Sequence, residues 1–517
     1  MTDETGTAAD RGKSDGPDAE PRDGHRILMR GGASAAFGFV IRLGARLVFL
    51  FVAGRLYGAT LFGAFSIAVA VVELAVTVGA LGAKRQLFKL IEDEHGDRSP
   101  AHILVDTAVA VGAASAAIAA AIMLTVALLP GGLVATDTRR TLILLAPMIG
   151  GQALMDLMLA ATRWTHLMRY EVTARSVIEP YAGVAVSAAA WFAGLGGIGL
   201  AAGYWAGTLA ALGYALFGVC KCFGGAAFGG YRFEVQRAVA LVRVTAVPTV
   251  ADFANALFAR ADVYIVGILL GEAPAGIYGM ARQVRTPIRQ VRQSFDGMLA
   301  PLVARTLRVN GPLRTGQALA SASRLILAIQ LPVLVALAVA GQPLLRALGP
   351  GFVAGYGAML MLAAGEAIQG AFGVGDLIFL FREPRVALRV TLVGVAVNIA
   401  AGFALIGPLG VNGAAVAVLA AFAASAAVRR HALATRYGIA THLAFSAGPC
   451  LAALVSAAVA FAGMALLRST ADWLRLSVVL AASLAAYGGA LKFWMVSQRT
   501  SLAMTGFATT DAGPDPS

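Results

Sequence analysis

Four arginines, Arg282, Arg285, Arg289 and Arg292, recur at spacings of three, four and three within ARQVRTPIRQVRQSFDGMLA, residues 281–300. On a helix of 3.6 residues per turn these four and Asp296 fall within an arc of about 80°. The opposite arc carries Met280, Val284, Pro287, Val291 and Met298. Arg42 and Arg46 stand one turn apart near the start of the chain and share a face too. A helix cationic on one side and apolar on the other either lies on a membrane surface or lines a polar cavity inside a membrane protein. Rigid, planar, permanently charged guanidinium groups suit phosphate or pyrophosphate. Their candidate neutralisers are Asp252, Asp262, Asp296, Glu366 and Asp376. About six arginines against four or five carboxylates leave a positive surplus, so the chemistry expected of the site is anion binding, with the arginines as diphosphate ligands. Asp252, Asp296, Glu366 and Asp376 are the candidate positions for charge balance or for a coupling proton or sodium ion.

Such residues need a membrane scaffold, and the composition supplies one. The 517 residues are 58% hydrophobic and only 13% charged, with a mean hydropathy of +0.76. A soluble globule of this composition would have too few charges to cover its surface. Repeated apolar runs of about 20 residues make the chain an all-α polytopic membrane protein of about fourteen spans. The spans are read near 33–53, 61–83, 102–129, 141–161, 172–193 and 197–219, then 244–270, 275–304, 317–348, 355–381, 386–406 and 411–428, then 442–466 and 473–496. The expected organisation is a polar tail (1–26), a six-helix bundle (27–220), a basic linker (221–243), a second six-helix bundle (244–430), an extra helix pair (431–497) and a short tail (498–517). The tail at the start is poor in large apolar residues, and no signal peptide is expected.

The net charge of +13 sets orientation here and does not mark a nucleic-acid binder. With the N-terminus inside, 27 of the 41 Lys and Arg residues fall in inside segments, 6 in outside segments and 8 within spans. Both termini are therefore expected in the cytoplasm. If the arginine-rich stretch did not cross, the bias downstream of it would reverse. Pro248, Pro287, Pro332 and Pro343 interrupt helical patterns in the second half and are expected bending points.

An internal repeat organises the chain. GRLYGATLFGAFSIA from Gly54 aligns without gaps on GILLGEAPAGIYGMA from Gly267, pairing Gly54, Leu56, Gly58, Gly63 and Ala68 with Gly267, Leu269, Gly271, Gly276 and Ala281. The same offset of 213 residues lays Gly194, Gly197, Ala201 and Ala202 on Gly407, Gly410, Ala414 and Ala415. The offset contains six spans, an even number, so the copies run parallel and should face each other across a central cleft.

Enzyme signals are absent. Gly194, Gly196 and Gly199 satisfy G-x-G-x-x-G, but they sit in an apolar turn with no acid until Glu234, and the dinucleotide reading is discarded. The six histidines are scattered, and Cys220, Cys222 and Cys450 give neither a disulfide framework nor a metal site. No cofactor and no metal are expected. No loop between spans is large enough to house a catalytic domain, which disfavours a membrane glycosyltransferase or polymerase.

The turn in GRLYGATLFGAFSIAVAVVELAVTVGALGAKRQLFK, the segment ADVYIVGILLGEAPAGIYGMARQV and the late GPLGVNGAAVAV resemble polysaccharide flippases of the multidrug/oligosaccharidyl-lipid/polysaccharide (MOP) exporter superfamily. The resemblance covers roughly residues 30–495, including the extra helix pair. It implies transfer of an undecaprenyl-diphosphate-linked oligosaccharide between leaflets of a bacterial inner membrane, by a monomer in contact with membrane lipid. Lipid II flippases are similar in placing arginines on their first and eighth helices, where Arg42, Arg46 and Arg282 to Arg292 stand here. The alternatives within the superfamily are a cation-coupled exporter of small organic cations, whose cleft should be acidic, and, after it, a lipid II flippase.

Overall fold

The computed structural model describes residues 41, 43–93, 99–130, 134–165, 167–229, 231, 235–295, 299, 311–439, 446–467 and 472–504. Arg42 and Asp296 lie outside them. Every regular element among the described residues is helical. The first half comprises α1 (43–57), α2 (Gly58–Gly79), the short amphipathic α3 (Ala83–Asp93), α4 (Pro100–Leu128), α5 (Thr136–Leu145), α6 (Met148–Trp164), α7 (169–192) and α8 (Ile198–Phe223). The second comprises α9 (Val235–Leu270), α10 (Glu272–Val284), α11 (286–295), α12 (Gly311–Leu348), α13 (Tyr356–Phe372), α14 (Asp376–Arg382), α15 (Pro384–Leu409) and α16 (Val411–Tyr437). The extra pair is α17 (Ala447–Leu466) and α18 (Asp472–Met504). Helix α9 begins at Val235, inside the stretch expected as a linker.

Ten helices among the described residues are long and apolar enough to cross a membrane, or eleven when α5 and α6, bent by 45°, are taken as one broken span. The expected count of about fourteen is not reached by that criterion, and the difference has three local causes. Leu43–Gly79 passes as one run, although Gly58 at φ +72° breaks the helical backbone within it. Helix α7 carries Arg169, Glu171, Arg175 and Glu179 and is interrupted by a π-turn at Ala174–Ile178. That turn stands just ahead of Pro180, whose ring would collide with the carbonyl four residues back in a regular helix. The stretch 272–295 holds the four arginines and breaks at Arg285, two residues before Pro287, which has no N–H to continue the ladder. Of the four expected bending prolines only Pro287 sits at a break; Pro248, Pro332 and Pro343 lie inside continuous helices.

The repeat governs the interface between the halves. Gly58 and Gly271, 213 residues apart, adopt φ +72° and +86°, a conformation costly for residues with a Cβ, and each opens the second helix of its half. Helices α2 and α10 then cross in direct backbone contact. A Cβ on Gly63 would overlap the carbonyl oxygen of Glu272, and one on Gly276 would overlap that of Ala59. Residue 63 corresponds to 276 and 59 to 272, so the contact is reciprocal, as a two-fold axis between the helices requires. Within each half the equivalent pairs α7–α8 and α15–α16 pack on each other. In lipid, where apolar burial drives little, such close approach at small residues supplies the packing energy.

Gly271→Ala tests the backbone term in isolation, because an added Cβ there meets nothing within 4 Å. It is expected to lower stability by about 1–2 kcal/mol, read as a fall in Tm in detergent. Gly44→Ala, equally free of contacts and not in the left-handed region, should leave Tm unchanged or raise it.

Candidate functional site

Among the cavities of the described residues, three bear on the arginine stripe and the first half. The central one, about 240 Å³, is walled by α1, α2, α9 and the α10–α11 stretch and is lined by Arg46, Phe49, Phe65, Glu73, Arg260, Arg282, Gln283, Thr286 and Arg289. A side chamber of about 390 Å³ in the first half shares Arg46, Phe49, Phe65, Glu73 and Gln283 with it and adds Arg175, Glu179, Tyr204 and Thr208. A larger one of about 870 Å³, lined by Lys84, Asp156, Arg163, Asp252 and Asn255, opens at the face opposite the Gly58 and Gly271 turns. We call this the basic face. The Arg175–Asp156 ion pair stands between the side chamber and the large one.

The arginine stripe divides. Arg282 and Arg289, seven residues apart, line the central chamber. Arg285 and Arg292, also seven apart, lean against the second half instead. Arg285 Nη1 donates to Glu366 Oε1 at 2.6 Å, with both residues buried at 4% and 5% exposure. Arg292 Nη2 donates to the Gly373 carbonyl at 3.3 Å and lies 4.0 Å from Asp376 Oδ2. Asp376 is also gripped by Arg429 through Nε at 2.5 Å and Nη2 at 2.8 Å. A stripe about 80° wide consists of two rows roughly 60° apart at 100° per residue, wide enough for its edges to meet different neighbours. The row carrying Arg285 and Arg292 met carboxylates and carbonyls of α13 and the turn after it.

The wall of the central chamber is net cationic. It presents four guanidinium groups, Arg46, Arg260, Arg282 and Arg289, and one carboxylate, Glu73. Glu73 of the first half forms an ion pair with Arg260 of the second, directly across the interface. Arg282 donates to the Ala259 carbonyl, and its Nε lies 3.5 Å from Asp262 Oδ2. Asp262 is buried behind the wall, where Oδ2 accepts from the Tyr278 hydroxyl at 2.6 Å and Oδ1 from the Val263 N–H at 3.0 Å. Arg289 has no hydrogen bond or ion pair among the described residues, and its buried Nε has no acceptor. A charge held this way in low dielectric favours an anionic guest.

Among the sequence candidates, then, Arg46, Arg282 and Arg289 meet in one chamber, Arg285, Arg292, Glu366 and Asp376 form pairs beside it, and Asp252 lines the large chamber. Arg42 and Asp296 lie outside the described residues. The Glu73–Arg260 pair is not among the sequence candidates. One signal was available: residue 46 plus the offset of 213 is 259, so Arg260 stands one position from the repeat equivalent of Arg46. No group of three or more His, Cys, Asp or Glu side chains that could hold a metal ion occurs among the described residues.

The family model described as "Polysaccharide biosynthesis protein" matches residues 28–306, just over half of the chain. The chain belongs to this family. Its fold is that of the MOP-superfamily transporters. The lipid II flippase MurJ in an inward closed conformation superposes with a TM-score of 0.74 at 12% identity, over 90% of this chain and 99% of that one. An inward-facing multidrug resistance MATE transporter of the MOP superfamily gives 0.61 at 13% identity, over 77% and 94%. The MATE transporter DinF-BH in complex with R6G gives 0.51 at 14%, over 83% and 99%. No curated protein matches the sequence. The polysaccharide biosynthesis family and these neighbours are those of transporters and flippases, not of enzymes.

The split stripe predicts opposite outcomes for its two rows. Arg285→Ala leaves Glu366 buried without its partner and should cost about 3–5 kcal/mol, whereas Arg285→Met combined with Glu366→Leu should recover most of that loss. Arg289→Ala should not lower Tm at all. Thermal unfolding in detergent distinguishes the three.

Proposed function

We propose that this protein is a flippase that moves an undecaprenyl-diphosphate-linked oligosaccharide across the bacterial inner membrane for cell-surface polysaccharide synthesis. The observation that carries this reading is the central chamber, where four guanidinium groups from both halves face a space holding one carboxylate. Arg282 and Arg289 contact the diphosphate, with Arg46 and Arg260 closing on it from the repeat-related helices α1 and α9, and Arg42 belongs to the same set. Two phosphates could each take a planar donor pair, the geometry for which arginine is suited. The large chamber, with Lys84, Arg163, Asp252 and Asn255, receives the sugars, while the polyprenyl tail remains in lipid. Arg285 and Arg292 hold the second half together, with Glu366 and Asp376 as their charge-balancing partners.

The bias of Lys and Arg supports placing the basic face and both termini in the cytoplasm. The protein works as a monomer, and the two halves rock about the contact between α2 and α10. Coupling to a proton or a sodium ion would fall to carboxylates lining the chambers, Asp252 and Glu73 first among them. The family membership favours an O-antigen or exopolysaccharide intermediate of lipopolysaccharide-type pathways over lipid II. The alternative, export of small organic cations, fits poorly with a wall on which arginines outnumber acids.

Proteoliposomes loaded with a fluorescent polyprenyl-diphosphate sugar test this directly. Each charge-assisted hydrogen bond lost is worth about 1.5–3 kcal/mol, so Arg282→Ala and Arg289→Ala should each slow flipping about tenfold or more. The Arg285→Met/Glu366→Leu protein should retain the native rate. Native rates in both single variants, or transport of a rhodamine-type cation in preference to the lipid, would overturn the proposal.

A further inference from the structure

The face carrying the Gly58 and Gly271 turns is closed, and one side chain does more there than seal it. Glu272, the first residue of α10, reaches from the second half to α5 of the first. Its Oε1 accepts from the backbone N–H of Thr138 at 2.8 Å and from the Thr138 hydroxyl at 2.7 Å. Helix α5 has no side-chain cap of its own, since Ala135 occupies its N-cap position. The first N–H groups of a helix have no partner within it, and a carboxylate is the strongest local acceptor for them. Here that cap is supplied from the other half of the molecule.

The backbone of the same residue makes a second crossing, because its carbonyl oxygen is the atom that the Cα of Gly63 packs against. Both contacts lie at the pseudo-two-fold axis, but only one has a charged side chain. The repeat equivalent of Glu272 is Ala59. Other crossings on this face include an Arg55 Nε donation to the Ala347 carbonyl at 2.9 Å and the edge-to-face pair Phe62–Phe352 at 6.3 Å between ring centroids. Neither places a carboxylate on a helix terminus.

We propose that Glu272 is the latch of this gate: it caps α5 only while the two halves are closed at the glycine turns, and separating them there uncaps the helix. The proposal rests on the rocking motion set out above and on no particular substrate. The latch stabilises the conformation open at the basic face. Its removal shifts the resting population toward the opposite conformation.

The test is substrate-free, so it is independent of what the protein carries. Spin labels replace the exposed Arg140 and Ala354 on the glycine-turn face, and a second pair replaces Lys89 and Arg385 on the basic face. Cys220, Cys222 and Cys450 are changed to Ser, and distances are measured by pulsed electron resonance in lipid nanodiscs. In the Glu272→Ala protein the glycine-face distance should lengthen and the basic-face distance shorten, with the ratio of the two populations moving about tenfold. Glu272→Gln, which keeps a neutral acceptor, should shift the ratio the same way by a smaller factor. Unchanged distributions in a folded Glu272→Ala protein would overturn the proposal. Lengthening on both faces would overturn it too, since that marks a general structural support and not a latch.

Discussion

A guanidinium group in hydrocarbon must find a counter-charge, a carbonyl or water, and this requirement organises the interior of the molecule. Arg285 and Arg429 are buried and answered by Glu366 and Asp376. Arg260 is answered across the interface by Glu73. Arg175 meets Asp156 within the first half. Arg289 is different, having no such partner among the described residues, and it faces the central chamber. The helices of the second half are locked to one another by satisfied charge, while the unsatisfied charge is collected where the halves meet.

That division depends on the repeat. Duplicated helices of a parallel pair bring equivalent faces together at a two-fold axis, and glycines at equivalent positions let the backbones touch there. The contact of Gly63 with Glu272 and of Gly276 with Ala59 closes one end of the cleft backbone to backbone, with the Phe62–Phe352 pair beside it. The central chamber lies beyond that contact and is walled by helices of both halves. Symmetry sets the frame, and departures from it supply the chemistry: Arg282 and Arg289 correspond to Val69 and Val76, and Glu272 to Ala59.

Much of this was legible in the chain itself. The offset of 213 and the two glycine turns follow from residue type and spacing. The four arginines were expected as one set; residues seven apart on a helix lie within about 20° of each other, which groups Arg282 with Arg289 and Arg285 with Arg292, a grouping that expectation did not draw. What spacing cannot supply is the identity of the neighbour each row meets. Glu366 lies 81 positions from Arg285 and Glu73 lies 187 from Arg260, so both pairs depend on tertiary packing. The count of spans was least legible where charge and helix breaks coincide, at Gly58, along 169–192 and at Arg285. There the same residues that serve the interior also spoil the apolar signal.

The central claim is that the chamber between the halves is a diphosphate site built by Arg282 and Arg289. The most direct measurement is a cryo-electron microscopy map of the protein in nanodiscs with a bound polyprenyl diphosphate. Phosphate density within hydrogen-bonding distance of both guanidinium groups is the expected result. Phosphate bound elsewhere, with Arg289 still facing an unfilled chamber, would contradict it.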